Sequence, residues 1–406
     1  MNHKNALTFI FFTLLLDIIG WGIIIPVLPG FITELTGDTV SQASKLAGWL
    51  AFTFSIVQFF FAPILGNLSD QFGRRPVLLF SLFGFSIDYI LIALAPTITW
   101  LFIARVISGI TGASITTAQA YIADISTDET RTKNFGMVGA AFGLGFIIGP
   151  VIGGFMGQFG TRVPFYAAAI LCFLNFLYGY FFVPESLAIE NRRKFDWKRA
   201  NPIGSLMHLK KYPAILGLVA SLSLVYIAAH AVQSNWSFYS IFRYNWNSNM
   251  VGISLGIVGL LVGLVQGVLV RYVNPKIGNE KSIYLGLGLY AVGMMCFGLA
   301  TTGTLFLIAL LPYCLGGIAG PALQSILSGG VPPNEQGELQ GALTSIISVT
   351  SIIGPPVMTG IFYYFTKPDA TTILPGAPFF LGAMLMSLSS FLAYRALHIN
   401  KKVELN

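Results

Sequence analysis

The stretch "GNLSDQFGRRP", Gly66 to Pro76, is a polar island between two apolar runs, and its reading decides the fold. Gly66 and Gly73 permit a tight turn and close approach of neighbouring chain. Asp70, Arg74 and Arg75 concentrate charge in this one short segment. On either side lie "WLAFTFSIVQFFFAPIL" and "VLLFSLFGFSIDYILIALA", with few ionisable groups. A helix needs roughly 20 apolar residues to cross about 30 Å of hydrocarbon, and both runs approach that length. A short charged turn between two such runs reads as a loop joining two membrane helices.

The rest of the chain repeats this pattern. Of 406 residues, 23 are Lys or Arg and 16 are Asp or Glu; 55% are hydrophobic and 10% charged. Soluble chains carry about 25% charged residues. A soluble core cannot absorb this much apolar material, because surface-to-volume scaling leaves too much of it exposed. Disorder is excluded as well, since disordered chains are polar and poor in aromatics. Apolar runs occur at roughly 6–29, 45–67, 76–95, 99–123, 133–158, 163–183, 213–237, 248–271, 282–301, 303–329, 338–364 and 377–397, each long enough to span. In lipid only helices satisfy the backbone groups of such segments, because barrel strands are shorter and alternate. The sequence therefore predicts an all-α membrane protein with twelve transmembrane helices. The first run is too long for a cleaved signal peptide and is read as the first span.

Basic residues set the expected orientation. With the N-terminus inside, Arg74, Arg75, Arg131, Arg192, Arg193, Lys198, Lys210, Lys211, Arg271 and Lys401 all fall on the cytoplasmic side. The outer side holds only Lys45, Arg162, Arg243 and Lys367. This asymmetry is the positive-inside pattern, and an even number of spans places both termini in the cytoplasm. The net charge of +7 is thus a matter of topology rather than of nucleic-acid binding. The expected location is the plasma membrane of a bacterium, its inner membrane.

Residues 1–184 then form a first six-helix bundle, 185–212 a polar cytoplasmic linker, and 213–406 a second bundle with a short tail. The halves carry traces of a repeat. "IIGP" stands at Ile147–Pro150 and again at Ile352–Pro355, an offset of 205 residues. The same offset carries Gly73 onto Gly278, Gln119 onto Gln324 and Gly136 onto Gly341. Parallel repeats are what a transporter of two six-helix halves shows.

The Gly66–Pro76 loop resembles the signature loop of the major facilitator superfamily, G-x-x-x-D-x-x-G-R-[KR]. The resemblance implies two pseudo-symmetric bundles and a cytoplasmic latch formed by Gly66, Asp70, Gly73, Arg74 and Arg75. In that picture Asp70 lies near a helix N-terminus of the opposite half, and Asp124 partners one arginine. The equivalent loop "RYVNPKIGNEK", Arg271 to Lys281, keeps Gly278 but has Pro275 and Asn279 where the first loop has Asp70 and Arg74. The latch is expected on one side only. "ARVISGITGAS" resembles the superfamily's fourth-helix motif R-x-x-x-G, in which Arg105 is associated with proton transfer; a snorkelling arginine near a helix end is the other reading. "GLGFIIGPVIGG" resembles the antiporter motif, with Gly145, Gly149, Pro150, Gly153 and Gly154. Close helix packing through small residues accounts for it equally.

Two carboxylates, Asp17 in "LLLDIIGWGIIIPVLP" and Asp88 in "SIDYILIA", sit within apolar helices. An apolar setting disfavours the charged form of a carboxyl group, which suits a proton-coupling role; a hydrogen bond between helices is the alternative. These segments, with "LLLD", "YIAD", "YNWNSNMVGISLGIVGLL", "PALQ" and "EQGELQG", resemble the tetracycline–proton antiporters across both halves. The resemblance implies proton-coupled export of a small amphipathic drug or metabolite, with Asp17, Asp88 and Arg105 in coupling. Exporters of the best-known type have a histidine in span eight and an aspartate in span nine. "GLLVGLVQG" and "LGLGLYAVGMM" have neither, so coupling is expected to run through the N-half. An uncoupled facilitator or importer on the same fold is the alternative reading.

A central cavity is expected to be lined by Asp17, Gln58, Asp88, Gln119, His230, Gln233, Trp236, Gln266, Tyr290 and Gln324. Amides and aromatics suit a medium-sized amphipathic ligand. His230 fits either a ligand contact or a polar contact between helices. No phosphate-binding loop of the form G-x-x-x-x-G-K-[ST] is present. Four scattered histidines and three cysteines give no metal or disulfide pattern. The expected partners are a small-molecule substrate, protons and the lipid bilayer, without nucleic acid, cofactor or metal; the protein is expected to act as a monomer and not as an enzyme.

Overall fold

The structure is a computed structural model that describes residues 3–197, 213–332 and 335–404. The described residues form helices and connecting turns, with no strand among them. Twelve helical segments are long and apolar enough to cross a membrane: Leu7–Ile24, Val40–Phe72, Arg74–Ala93, Ile98–Ile125, Asn134–Phe159, Val163–Phe182, Ile215–Tyr244, Ser248–Ile277, Asn279–Leu299, Gly303–Gly329, Glu338–Tyr364 and Ala377–His398. They are numbered below as spans one to twelve. The expected runs fall on these segments in order. Spans two, seven and eight run several residues beyond their expected ends, and the first stops short, at Ile24 rather than 29. A turn at 25–27 precedes a separate helix, Leu28–Thr36, because Pro26 and Pro29 cannot supply the amides a continuous helix needs there.

Large apolar side chains such as Phe155, Phe181, Met384 and Phe391 are exposed. In water that would be costly; against acyl chains it is the expected surface. The interior is held mainly by small residues and interlocking aromatics.

The described contacts divide the chain into two compact units. The first comprises Met1–Asp38, Thr53–Asn201 and Trp246–Gly259. The second comprises Thr39–Phe52, Pro202–Asn245 and Leu260–Asn406. Each unit thus takes in the start of one span from the other sequence half. Of the expected linker, 185–197 is described and lies against the first unit: Arg193 donates its backbone N–H to the Asp70 carbonyl at 3.0 Å, and Asn67 Nδ2 donates to the Asp196 carbonyl at 3.1 Å. Residues 198–212, including Lys198, Lys210 and Lys211, lie outside the described residues.

In the first unit, span one is the hub. Phe9, Ile10, Leu14 and Ile18 pack on Ala118, Tyr121 and Ile122 of span four and on Val138 and Ala141 of span five. Along its other edge the glycines of span five bring the two backbones together. A Cβ at Gly145 would press on Ile18, at Gly149 on the Ile19 carbonyl and Gly22, and at Gly153 on Ile23. Pro150 sits against Gly22 in the same way. Gly154 faces the start of span eight, whose Gly252 approaches it equally closely. The small residues read from the sequence as packing elements therefore do pack, on two sides.

Several spans are not uniform α-helices, and two of the irregularities correspond in the repeat. In span four the helix stops at Thr111 and restarts at Ser114. In span ten, which also turns at Ala309, the corresponding stretch, Gly316–Ile318, is a single 3₁₀ turn between the helices Leu310–Leu315 and Ala319–Gly329. The offset of 205 residues maps Gly112 onto Gly317, so the irregularity belongs to the repeat.

Candidate functional site

Two clusters of ionisable side chains stand out, both in the first unit. The first surrounds the Gly66–Pro76 loop. Span two ends at Phe72, and Gly73, with φ 107° and ψ 163°, turns the chain into span three. Arg74 is only 9% exposed. Its guanidinium binds Asp70 Oδ1 at 2.5 Å and Ser69 Oγ at 2.7 Å through Nη1, and Asp124 Oδ2 at 3.0 Å through Nε. Ser186 Oγ donates to the same Asp124 oxygen at 3.0 Å. Charged pairs of this kind use arginine's planar fork. The sequence expectation that Asp124 partners an arginine is met at Arg74.

Glu185 completes this cluster and was not among the expected residues. Its carboxylate accepts the backbone N–H of Arg74 at 2.8 Å and of Arg75 at 3.1 Å. It thereby caps a helix whose own N-cap position is a glycine, without a side-chain acceptor. A carboxylate is favoured at that end by the helix dipole. The amides of Ser186 and Leu187 also donate to it, each at 3.0 Å. Within this unit, then, Asp70 serves Arg74 and the carboxylate at a helix N-terminus is Glu185. Arg75 reaches the other way, donating to the Tyr180 carbonyl at 2.5 Å. A polar cavity of about 570 Å³ opens beside the cluster, lined in part by Asp70, Arg74, Asp124, Glu190 and Arg193.

The second cluster lies within the spans. Arg105 Nη2 of span four binds Asp88 Oδ2 of span three at 2.5 Å. The Asp88 side chain is 1% exposed, and its Oδ1 has no hydrogen-bond partner among the described residues. Asp17 of span one is 8% exposed, and neither of its carboxylate oxygens is within hydrogen-bond geometry of another group among the described residues. The Ser114 hydroxyl faces it from span four. Tyr89 and Cys172 border the same group: the Tyr89 hydroxyl and the Cys172 sulfur meet beside Gly20, one turn along span one. The structure thus brings Asp17, Asp88 and Arg105 together. Arg105 is paired rather than snorkelling.

The expected cavity residues fare differently. Gln58 Nε2 donates to the Gly112 carbonyl at 2.9 Å, at the break in span four. Gln119 is half-buried on the second half of that span. In the second unit, His230 is half-buried against Gly354, where a Cβ would strike its ring. Gln233 is exposed, and Gln266 is exposed on a single π-helical turn, Val265–Leu269. Tyr290 packs on Gly316 and faces Tyr313 with ring centres 5.1 Å apart. Gln324 Nε2 donates to Gln340 Oε1 at 3.1 Å. Trp236 is 1% exposed and stacks among Phe297 and Phe306, the latter 4.4 Å away between ring centres. It is part of the unit's core and not of a cavity wall. Six residues on from His230, it points about 120° away around the helix. Among the described residues there is no group of three or more His, Cys, Asp or Glu that could hold a metal ion.

The C-half loop repeats the backbone of the first with Pro275 and Asn279 in place of Asp70 and Arg74. Gly278 has φ 83° and ψ 159°, and again precedes a helix. Asn279 stands where Arg74 stands in the repeat, and its Nδ2 donates to Ser325 Oγ of span ten at 3.0 Å.

Comparison with known proteins gives a consistent picture. The sequence pattern described as the Major Facilitator Superfamily matches residues 10–355. The chain is 38% identical over 362 residues to the tetracycline resistance protein, class C, of Escherichia coli, covering 89% of this chain and 91% of that protein. It is 37% identical over 348 residues to the class E tetracycline resistance protein of Escherichia coli, covering 86% of this chain and 85% of that protein. The crystal structure of a D-xylose–proton symporter superposes with a TM-score of 0.76 at 17% identity, covering 96% of this chain and 97% of that one.

Proposed function

We propose, from the premise that this chain belongs to the Major Facilitator Superfamily, that it is a secondary active transporter exporting a tetracycline or a similar amphipathic molecule in exchange for protons. The relatives' names carry the substrate class. The observation that carries the coupling is Asp17, a buried carboxylate in the first span with both oxygens unpartnered among the described residues, beside the Asp88–Arg105 pair. A carboxyl group without a fixed cationic partner is free to change its protonation state when water or substrate reaches it. The paired Asp88 has less freedom and serves to hold Arg105 in place.

In this reading the two sequence halves, 1–184 and 213–406, alternate between inward and outward access, both termini lie in the cytoplasm of a bacterium, and the protein works as a monomer. Arg74 and its three acceptors bias one of the two states. Substrate contacts come from half-buried or exposed polar residues such as Gln119, His230, Gln233 and Gln266.

The test is tetracycline uptake into proteoliposomes that hold the purified protein and an acidic lumen. Uptake should follow the imposed pH gradient and should be lost in Asp17→Asn. Uptake that ignores the gradient would refute proton coupling.

A further inference from the structure

The break in span four is built and held by specific contacts. The Ala113 N–H donates to the Thr111 carbonyl at 2.8 Å, and Gly112 has φ −74° and ψ 55°, the geometry of an inverse γ-turn. The Gly112 carbonyl, freed from the helix, accepts Gln58 Nε2 at 2.9 Å. A Cβ at Gly112 would press on that amide, so the position has room only for glycine. The chain then restarts as Ser114–Ile125, a 12-residue helix whose N-cap, Ala113, offers no side-chain acceptor. The first amides of a helix have no acceptor within it, and together they present partial positive charge.

A second observation points to what occupies this end. Asp17 is buried with neither oxygen in hydrogen-bond geometry among the described residues, and Ser114, the first residue of the restarted helix, faces it. Thr117, one turn further on, also has a buried hydroxyl oxygen without a partner among the described residues.

The repeat within the molecule supplies a control. At the same offset, Asp17 corresponds to Leu222, Ser114 to Ala319 and Gly112 to Gly317. There the carboxylate and the hydroxyl are both missing, and the chain at Gly316–Ile318 only tightens into a 3₁₀ turn instead of breaking. A glycine is therefore insufficient for the break. The broken copy differs in having the carboxylate, Ser114 and Gln58, and in lacking the equivalents of Pro312 and Pro321 of span ten.

We propose that the broken fourth span is the seat of the Asp17 carboxylate, with Ser114 and the amide-bearing helix end holding its ionised form and Gln58 keeping the break open. This rests on Asp17 as the proton-coupling group. It adds the moving part: protonation removes the charge that the helix end holds, and the break relaxes toward the tighter turn seen in span ten. Ser114, Gln58 and Gly112 are positioning residues, acting through Asp17. The other charged or titratable groups around Asp17 are Asp88 and Tyr89 of span three, Arg105 of span four and Cys172 of span six. Span five meets span one here through Gly145 and Gly149 and adds none.

The test reads Asp17 directly. In the purified full-length protein, the infrared carbonyl band of the protonated carboxyl is assigned by its loss in Asp17→Asn, and its intensity is followed against pH. Removing a donor to the ionised form makes protonation easier, so Ser114→Ala should move the midpoint upward by about one pH unit, the equivalent of one hydrogen bond to a charged group. Ser114→Thr, which keeps the hydroxyl, should leave it unchanged. An unmoved midpoint in Ser114→Ala, or equal shifts in both variants, would overturn the proposal. Tetracycline uptake in vesicles made from the same protein separates this from the function itself: uptake by the unmodified protein that ignores the imposed pH gradient refutes proton coupling, whatever the infrared result, whereas gradient-driven uptake with an unmoved midpoint in Ser114→Ala overturns only the seat proposed here.

Discussion

Replacing Gly73 by alanine should destabilise the protein much more than the same change at Gly278, although both glycines have nearly the same backbone conformation. Their dihedrals are 107°, 163° and 83°, 159°, a region open almost only to glycine, where another residue costs on the order of 1–3 kcal/mol. That cost is common to both. The surroundings differ. A Cβ at Gly278 meets nothing within 4 Å, whereas one at Gly73 falls on the Glu185 carboxylate. Alanine at 73 must therefore push Glu185 off the helix end, where it accepts four backbone N–H groups at 2.8 to 3.1 Å. Loss of an N-cap alone costs about 0.5–2 kcal/mol. Bonds to a charged acceptor are stronger, but Glu185 is half-buried and water replaces part of them, so about 2 kcal/mol is a reasonable total. With an unfolding entropy of about 2.1 cal/mol/K per residue, 1 kcal/mol is worth roughly 1 °C in a chain of 406 residues, so Gly73→Ala should melt about 2–3 °C below Gly278→Ala. Thermal unfolding of the detergent-purified variants, followed by tryptophan fluorescence, gives the comparison. The double variant Gly73→Ala with Glu185→Ala sharpens it. With the carboxylate gone the new methyl has nothing to displace, so the two effects should fall short of additivity by about 1–2 kcal/mol, within the range for residues in contact. Equal melting shifts at 73 and 278, or strict additivity with Glu185→Ala, would refute the steric argument.

Two further outcomes follow from the spans. Arg105→Ala should leave the Asp88 carboxylate buried and unpaired, at about 3–5 kcal/mol; folded yield should fall sharply and recover in Asp88→Asn with Arg105→Gln, as measured by gel filtration. Gly153→Ala would drive a methyl into Ile23 of span one and should cost about 1–3 kcal/mol by overpacking, while Gly143→Ala, with open space around it, should melt like the parent protein.

The fold was legible because lipid leaves little choice. Each apolar run had to be a helix, and its length was set by the bilayer rather than by local propensity. The charged sites were legible in part. Asp17, Asp88, Arg105, Arg74 and Asp124 stood out because charge is rare in this chain, and a rare charge within an apolar run needs a partner. Glu185 escaped because it lies 111 residues from Arg74, in what reads as a polar connector. A signal was available: the helix starting at Arg74 has glycine as its N-cap, so its acceptor had to come from elsewhere in the chain. The break at Gly112 escaped for the opposite reason, since hydropathy runs unbroken across it. Trp236 shares a helix with His230 but not a face, and packs in the core instead of lining a cavity.

The two halves show how a repeat can keep its shape while losing its charge. At Gly73 and Gly278 the backbone turn is the same, and the next side chain reaches the neighbouring span in both copies: Arg74 to Asp124 in one, Asn279 to Ser325 in the other. At Gly112 and Gly317 the helix is disturbed in both copies but broken only where Asp17 faces it. Backbone form depends on glycine and on helix packing, which tolerate neutral substitution around them. A buried charge depends on every partner being present, and loss of one partner favours loss of the rest. With Leu222 at the position equivalent to Asp17, no anion faces position 319, and alanine there leaves no charge without a donor. The C-half spans, without Asp17 and Asp88, present amides and aromatic rings, and a proton-linked movement begins in the unit that holds those carboxylates.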